Sequence, residues 1–274
     1  MERYVLLLIW GISAIVYARG WFILRQRGAR RLANWQRGAF ALLAFGTLAL
    51  AFLPPIATYE SRSFFVHMIQ HELLIEVAPT FLWMAHPVAF WLWGLPHRWR
   101  HPLTTRLLAP RSRARHWLRT LTPPRIVVPL YLIVVTLWHM PPIYDAALSW
   151  PVLHGFEHFT LLGSAFLYWW LVTAAPPQWH GHSRRQLPVV YVILAYLHNE
   201  VLGVGLTLIR QPIYSFYEQV TPPWGLSPIA DQSLGGAVMW IPGEFIYAIT
   251  LMALLFRLLE EREPYRGVYE TYPS

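Results

Sequence analysis

LWHMPPIYDAALSWPVLHGFEHFTLLGSAFLYWW, residues 137–170, is apolar enough to lie in a membrane. It nevertheless carries His139, His154 and His158 together with Asp145 and Glu157. His154 and His158 stand four residues apart, so on an α-helix they share one face as neighbours. Upstream, FFVHMIQHELL (residues 64–74) repeats that spacing with His67 and His71. Each pair can offer two imidazoles to one ion. Ionisable groups are costly in hydrocarbon, so two such pairs inside apolar segments mark a functional site. The plainer alternative is imidazoles hydrogen-bonded to neighbouring helices.

The whole chain shares that apolar character. Of 274 residues, 55% are hydrophobic and only 13% charged, which points to a polytopic membrane protein. Cysteine is absent, so thiolate metal sites and disulfides are excluded. Soft ligands must come from histidine or from the six methionines. The net charge of +8 invites a nucleic-acid reading, but its distribution argues against one. Every basic residue is an arginine, and they gather in alternate polar gaps. Arg25 to Arg37 fill one gap, Arg98 to Arg125 another, and Arg184 with Arg185 a third; the intervening gaps hold only Arg62 and Arg210. That alternation is the positive-inside pattern.

These features predict an all-α polytopic protein with seven transmembrane helices, its N-terminus outside and its C-terminus cytoplasmic. The expected spans are residues 4–24, 39–58, 64–85, 126–140, 152–175, 187–209 and 233–258. They form one domain over 1–258, followed by a polar cytoplasmic tail over 259–274. No small-residue cleavage site follows the first span, which argues against a signal peptide. Pro79 is expected to kink the third span, with PVAFWLWGLP as a broken extension. IYDAALSW is expected to form an outer turn or re-entrant piece, and TPPWGLSPIADQ an outer loop.

In this topology His67, His71, His139, His154, His158 and Met239 all fall near the outer face. One composite site open to the extracytoplasmic side follows. Glu157 would be a ligand or would orient an imidazole. Asp145 would cap the turn or pair with His or Arg. Glu72 and Glu76 would face a hydrated cavity or be neutral and hydrogen-bonded. His198 and Glu200 (with Glu244 in the last span) either continue the site inward as a proton or ion path or serve packing. His97, His101, His116, His180 and His182 read as solvated, and His86 as local to a helix break. Imidazole with thioether and no thiolate suits copper, Cu(I) above all. Zinc or iron would accept the same imidazoles with a carboxylate, and haem could take two facing histidines.

VHMIQHELL with Ala78-Pro79, WHMPPIYDAAL, HGFEHFTLLGSAFLYWW and PPWGLSPIADQSLGGAVMWIPG occur in this order between residues 39 and 258. On those motifs the chain resembles the seven-helix CtaG family of cytochrome c oxidase assembly factors. The resemblance implies a non-enzymatic factor of the bacterial cytoplasmic membrane that matures a haem-copper oxidase by handling copper. It implies three partners: the oxidase catalytic subunit, a copper donor on the extracytoplasmic side, and membrane lipid. It makes His67, His71, His139, His154 and His158 the metal-handling residues, with Asp231 and Met239 in support. Glu72, Glu76 and the HNE at 198–200 depart from the family's usual apolar residues there. A membrane metalloenzyme (zinc or di-iron, with Glu157 or Glu200 as base), a haem-binding electron carrier and a metal transporter are the rival readings.

Overall fold

A long apolar segment in a membrane can satisfy every backbone N–H and C=O within itself only as an α-helix. The computed structural model describes residues 2–107, 109, 111–180 and 186–260, and no strand occurs among them. The long helices are α1 (Glu2–Gln26), α2 (Trp35–Phe52), α11 (Pro151–Thr173), α12 (Leu187–Leu208) and α14 (Pro228–Glu260). Between α2 and α11 lie α3 (Ile56–Tyr59), α4 (Phe64–Glu72), α5 (Ala78–Met84), α6 (Pro87–Gly94), α7 (His97–Leu107) and α8 (Arg113–Leu121). These are followed by α9 (Pro124–Trp138) and α10 (Pro141–Ser149). A short α13 (Ser215–Glu218) precedes α14.

Four helices, α1, α2, α12 and α14, are long and apolar enough to cross a membrane. Two bent pairs raise the number to six: Phe64–Met84 with Pro87–Gly94, bent by 69°, and Arg113–Leu121 with Pro124–Trp138, bent by 57°. The surface agrees with that setting. Leu8, Ile12, Ile15, Leu42, Ile133, Val201 and Ile249 all stand exposed, an apolar outside that lipid covers.

α11 is the hub. It packs on α5, α9, α10 and α12 and buries Leu161, Ala165, Tyr168 and Trp169 completely. The Trp83 indole of α5 donates to the Phe166 carbonyl at 2.7 Å, tying the two helices together. At the other edge, α6 folds back on α1. A Cβ built on Gly94 would lie 1.9 Å from the Val16 carbonyl oxygen, so only glycine permits this crossing.

Several expectations are refined. IYDAALSW, expected as an outer turn or re-entrant piece, is helical: Pro141 starts a helix and the run forms most of α10. α14 begins at Pro228, five residues before the expected start, so IADQ lies in its first turns rather than in the loop. The second span runs over Trp35–Tyr59, and within it α2 ends at Phe52 and Pro54-Pro55 leads into α3. The Arg-rich stretch carries two surface helices, α7 and α8, with no buried residue. The polar tail beyond residue 260, and His182, Arg184 and Arg185, lie outside the described residues.

Candidate metal centre

The helix bearing the first histidine pair is pinned at its start. Ser63 caps α4 by accepting from the Val66 N–H at 3.3 Å. Asp231, from the first turn of α14, accepts from the Ser63 hydroxyl and from the Phe64 N–H, both at 2.6 Å. One carboxylate thus satisfies the free donors of one helix from another. Beyond the histidines the helix widens into a π-turn at Leu73–Val77, a feature concentrated at functional sites. Pro79 supplies a cause. It lacks the N–H that would bond the Ile75 carbonyl, and its ring needs room there. The Trp169 indole of α11 donates to that carbonyl at 2.8 Å instead.

Within this frame the imidazoles converge. The Nε2 atoms of His67 and His71 are 2.9 Å apart. From α11, Glu157 brings Oε1 to 3.5 Å from His71 Nε2. The His158 ring centroid lies 5.6 Å from that of His71 and 5.8 Å from that of His67. The His154 ring lies tilted at 4.4 Å from His158 and edge-on at 5.2 Å from His67. His139 ends α9 with its ring 5.8 Å from His71. Its Nδ1 donates to the Val135 carbonyl at 2.7 Å, which leaves Nε2 as the bare nitrogen.

His67, His71, Glu157 and His158 each offer a ligand atom, and these atoms all lie within 4.8 Å of one another. All four residues are buried, as is His139. The Nε2 atoms of His139, His154 and His158 and both Glu157 oxygens make no hydrogen bond among the described residues. Buried polar atoms are normally paired, so such a group calls for a partner. An ion held by two imidazoles at about 2.0–2.1 Å separates their nitrogens by about 3 Å, and the His67–His71 spacing fits. His67 Nδ1 meets the Tyr217 hydroxyl at 3.2 Å, and Tyr217 donates onward to the Glu60 carbonyl at 2.9 Å. That leaves Nε2 of His67 turned to the cluster. A cavity of about 40 Å³ adjoins it, lined by His154, His158, Gln70 and Glu60.

The other candidates divide. Met239 is buried with Phe64, Met68, Tyr144 and Tyr217 in an aromatic cluster beside the site. Asp231 holds α4 in place. Among the described residues Asp145 pairs with neither His nor Arg: its carboxylate accepts from the backbone N–H of Ser215 and Phe216 and from the Ser215 hydroxyl, at 2.7–3.2 Å, fixing α13. Glu72 and Glu76 are buried one turn apart. A Cβ on Gly243 would meet an oxygen of each at 3.0 Å, so α14 leaves just room for the two carboxylates. Glu76 accepts from the Asn199 amide at 3.3 Å.

His198 and Glu200 are not among the residues whose ligand atoms meet. His198 Nε2 meets the Thr136 hydroxyl at 2.7 Å on α9. Flanking residues on a helix lie about 100° to either side, and it is the residue between them, Asn199, that faces Glu76. His97, His101 and His116 are exposed on α7 and α8. His180 meets the Thr122 hydroxyl at 3.3 Å, and His86 occupies a left-handed backbone (φ 53°) at the bend before Pro87. Sequence reasoning missed Asn199, Gln70 and Tyr217. Asn199 had a signal, a polar side chain in mid-span, whereas Tyr217 lies in a connecting segment with none.

The sequence matches the cytochrome c oxidase caa3 assembly factor family, Caa3_CtaG, over residues 15–261. It is also 28% identical over 262 residues to an uncharacterised protein of Mycobacterium bovis, and likewise to one of Mycobacterium tuberculosis. A Mycobacterium leprae protein, also uncharacterised, is 26% identical over 264 residues. The two 28% matches cover 89% of this chain but 37% of each relative, so the chain spans little more than a third of their length. No solved structure matches. With a match running from the first long helix to the last, this chain belongs to the Caa3_CtaG family of cytochrome c oxidase assembly factors.

Proposed function

We propose that this chain handles copper for a haem-copper oxidase, holding the ion in its histidine cluster and yielding it to the oxidase catalytic subunit. The observation that carries this reading is the meeting of His67, His71, His158 and Glu157 from two helices, buried, with ligand atoms inside 4.8 Å. Nitrogen-rich sites favour copper over the other first-row divalent metals. Met239 packs among aromatic rings, so imidazoles rather than a thioether carry the preference. His139 and His154 add nitrogens beside the first set. A cargo site needs such spare ligands, because exchange among them lets the ion leave without being stripped bare. Ring centroids 4.4–5.8 Å apart leave no space for a macrocycle between them, which disfavours the haem reading.

The membrane arrangement belongs to the same proposal. α11 has 23 residues, about 34 Å at 1.5 Å per residue, enough for a hydrocarbon core of about 30 Å. Its two histidines and Glu157 lower its hydropathy, and counting it brings the spans to seven. The arginine gaps then set the N-terminus outside and the C-terminus in the cytoplasm of a bacterial cell. The cluster comes to the extracytoplasmic side, where a copper donor can reach it through the cavity beside His154.

Elemental analysis of the purified protein tests the reading. Copper should be retained, and should be lost from a variant with His67, His71, His154 and His158 all replaced by Ala at unchanged helix content. Zinc that copper does not displace would overturn it.

A further inference from the structure

At the end of the bundle away from the histidines, α2, α5, α11 and α14 part around a cavity of about 510 Å³. That size lies within the roughly 300–1,000 Å³ of small-molecule sites. Its depth is formed by the buried Thr80, Trp83, Val172 and Ala175. Its sides are formed by Phe40, Phe81 and Leu254, and its mouth by Met84 and Ile249, 39% and 64% exposed. The opening therefore faces sideways, toward the lipid-covered surface. One rim is polar and cationic, with Arg37 and Arg257 beside Asn34 and Gln36, and no carboxylate is among the lining residues. His86, also lining the cavity, is within electrostatic reach of both guanidinium groups. Arg37 spends one N–H on the Leu32 carbonyl at 2.8 Å, and a guanidinium has five to offer.

An apolar trough that opens laterally and ends at two arginines has the polarity of an amphiphile with an anionic head. We propose that this cavity binds one anionic phospholipid, its phosphate between Arg37 and Arg257 and its chain against Phe40, Phe81 and Ile249. A soluble anion would leave the trough unused. A zwitterionic lipid would bring its own cation to a rim that already carries two. Arg37 closes the first Arg-rich gap and Arg257 stands in the last turn of α14, both at helix ends that the positive-inside pattern turns toward anionic headgroups. The site is separate from the histidine cluster and stands whether or not that cluster holds copper.

Native mass spectrometry of the full chain in detergent tests this with phosphatidylglycerol, phosphatidylcholine and glycerol 3-phosphate as probes. Phosphatidylglycerol should be retained as a single adduct at concentrations where phosphatidylcholine is not. Arg37→Gln and Arg257→Gln should each weaken it about fivefold. Ala253→Trp, which fills the trough and leaves the arginines intact, should abolish the adduct at unchanged helix content. Equal retention of the two lipids would overturn the proposal. So would adducts indifferent to Ala253→Trp, or glycerol 3-phosphate binding as tightly as the lipid.

Discussion

His67 and His71 face each other through Nε2 atoms 2.9 Å apart, and beyond His67 the Tyr217 hydroxyl holds its other nitrogen at 3.2 Å. A ligand imidazole held through its second nitrogen keeps its tautomer and orientation. Tyr217→Phe removes that hold and leaves the ring in place. Copper affinity should fall about 10- to 100-fold, read by competition with a chelator of known strength. An unchanged affinity would show that the tyrosine only packs.

Asp231 links the last span to the first turn of α4 through two bonds of 2.6 Å. Asp231→Ala should cost about 1–2 kcal/mol, seen as a lower midpoint of thermal unfolding. Asp231→Asn, which retains an acceptor for one of the two donors, should lie between it and the parent. Metal content measured below the transition should stay near the parent value, because the carboxylate supports the helix rather than the ion.

Replacing Trp169 with Phe keeps the aromatic bulk and removes the donor to the Ile75 carbonyl. A buried carbonyl left unmatched costs about 1–3 kcal/mol. The expected outcome is a less stable protein with faster amide exchange around the π-turn. Exchange confined to other regions would mean the π-turn stands without the indole.

His198 donates to or accepts from Thr136 at 2.7 Å and is not among the residues whose ligand atoms meet. His198→Ala should therefore keep the full copper stoichiometry, whereas His158→Ala should not. Loss of copper from the His198 variant would mean the cluster extends further inward than the geometry indicates.

Imidazole binds a metal only as the neutral base, so protons compete with the ion for each histidine. Copper should be held at neutral pH and released as the pH falls, more steeply than one ligand would allow. A titration by elemental analysis after desalting at each pH reads this. Retention down to strongly acidic pH would show that the histidines are not the ligands.

Much of the architecture could be read from the chain. Apolar runs at 4–24, 187–209 and 233–258 become α1, α12 and α14 within a few residues, because hydrocarbon leaves the backbone no other way to pair its polar groups. IYDAALSW was expected as an outer turn or a re-entrant piece; Pro at the first turn of a helix starts one, and so the run is the helix α10. Asp145 was expected to cap the turn or pair with His or Arg, and Asp231 to support the metal-handling histidines. Both accept from the starts of other helices, a role that depends on which donor lies nearest in space and leaves no mark on local sequence.

Spacing alone determined that His67 and His71, and His154 and His158, would each share a helix face, since the period of the α-helix is local and invariant. Only the packing of α4 against α11 and the end of α9 decided that the five rings would meet. It also decided that Glu157 would enter the group while Met239 turned to the aromatic cluster, and that Asn199 rather than its neighbours would face Glu76. Those outcomes rest on crossing geometry and on close approaches between helices up to 168 residues apart in the chain. Interactions of that range are set when the whole bundle packs, not by any segment on its own.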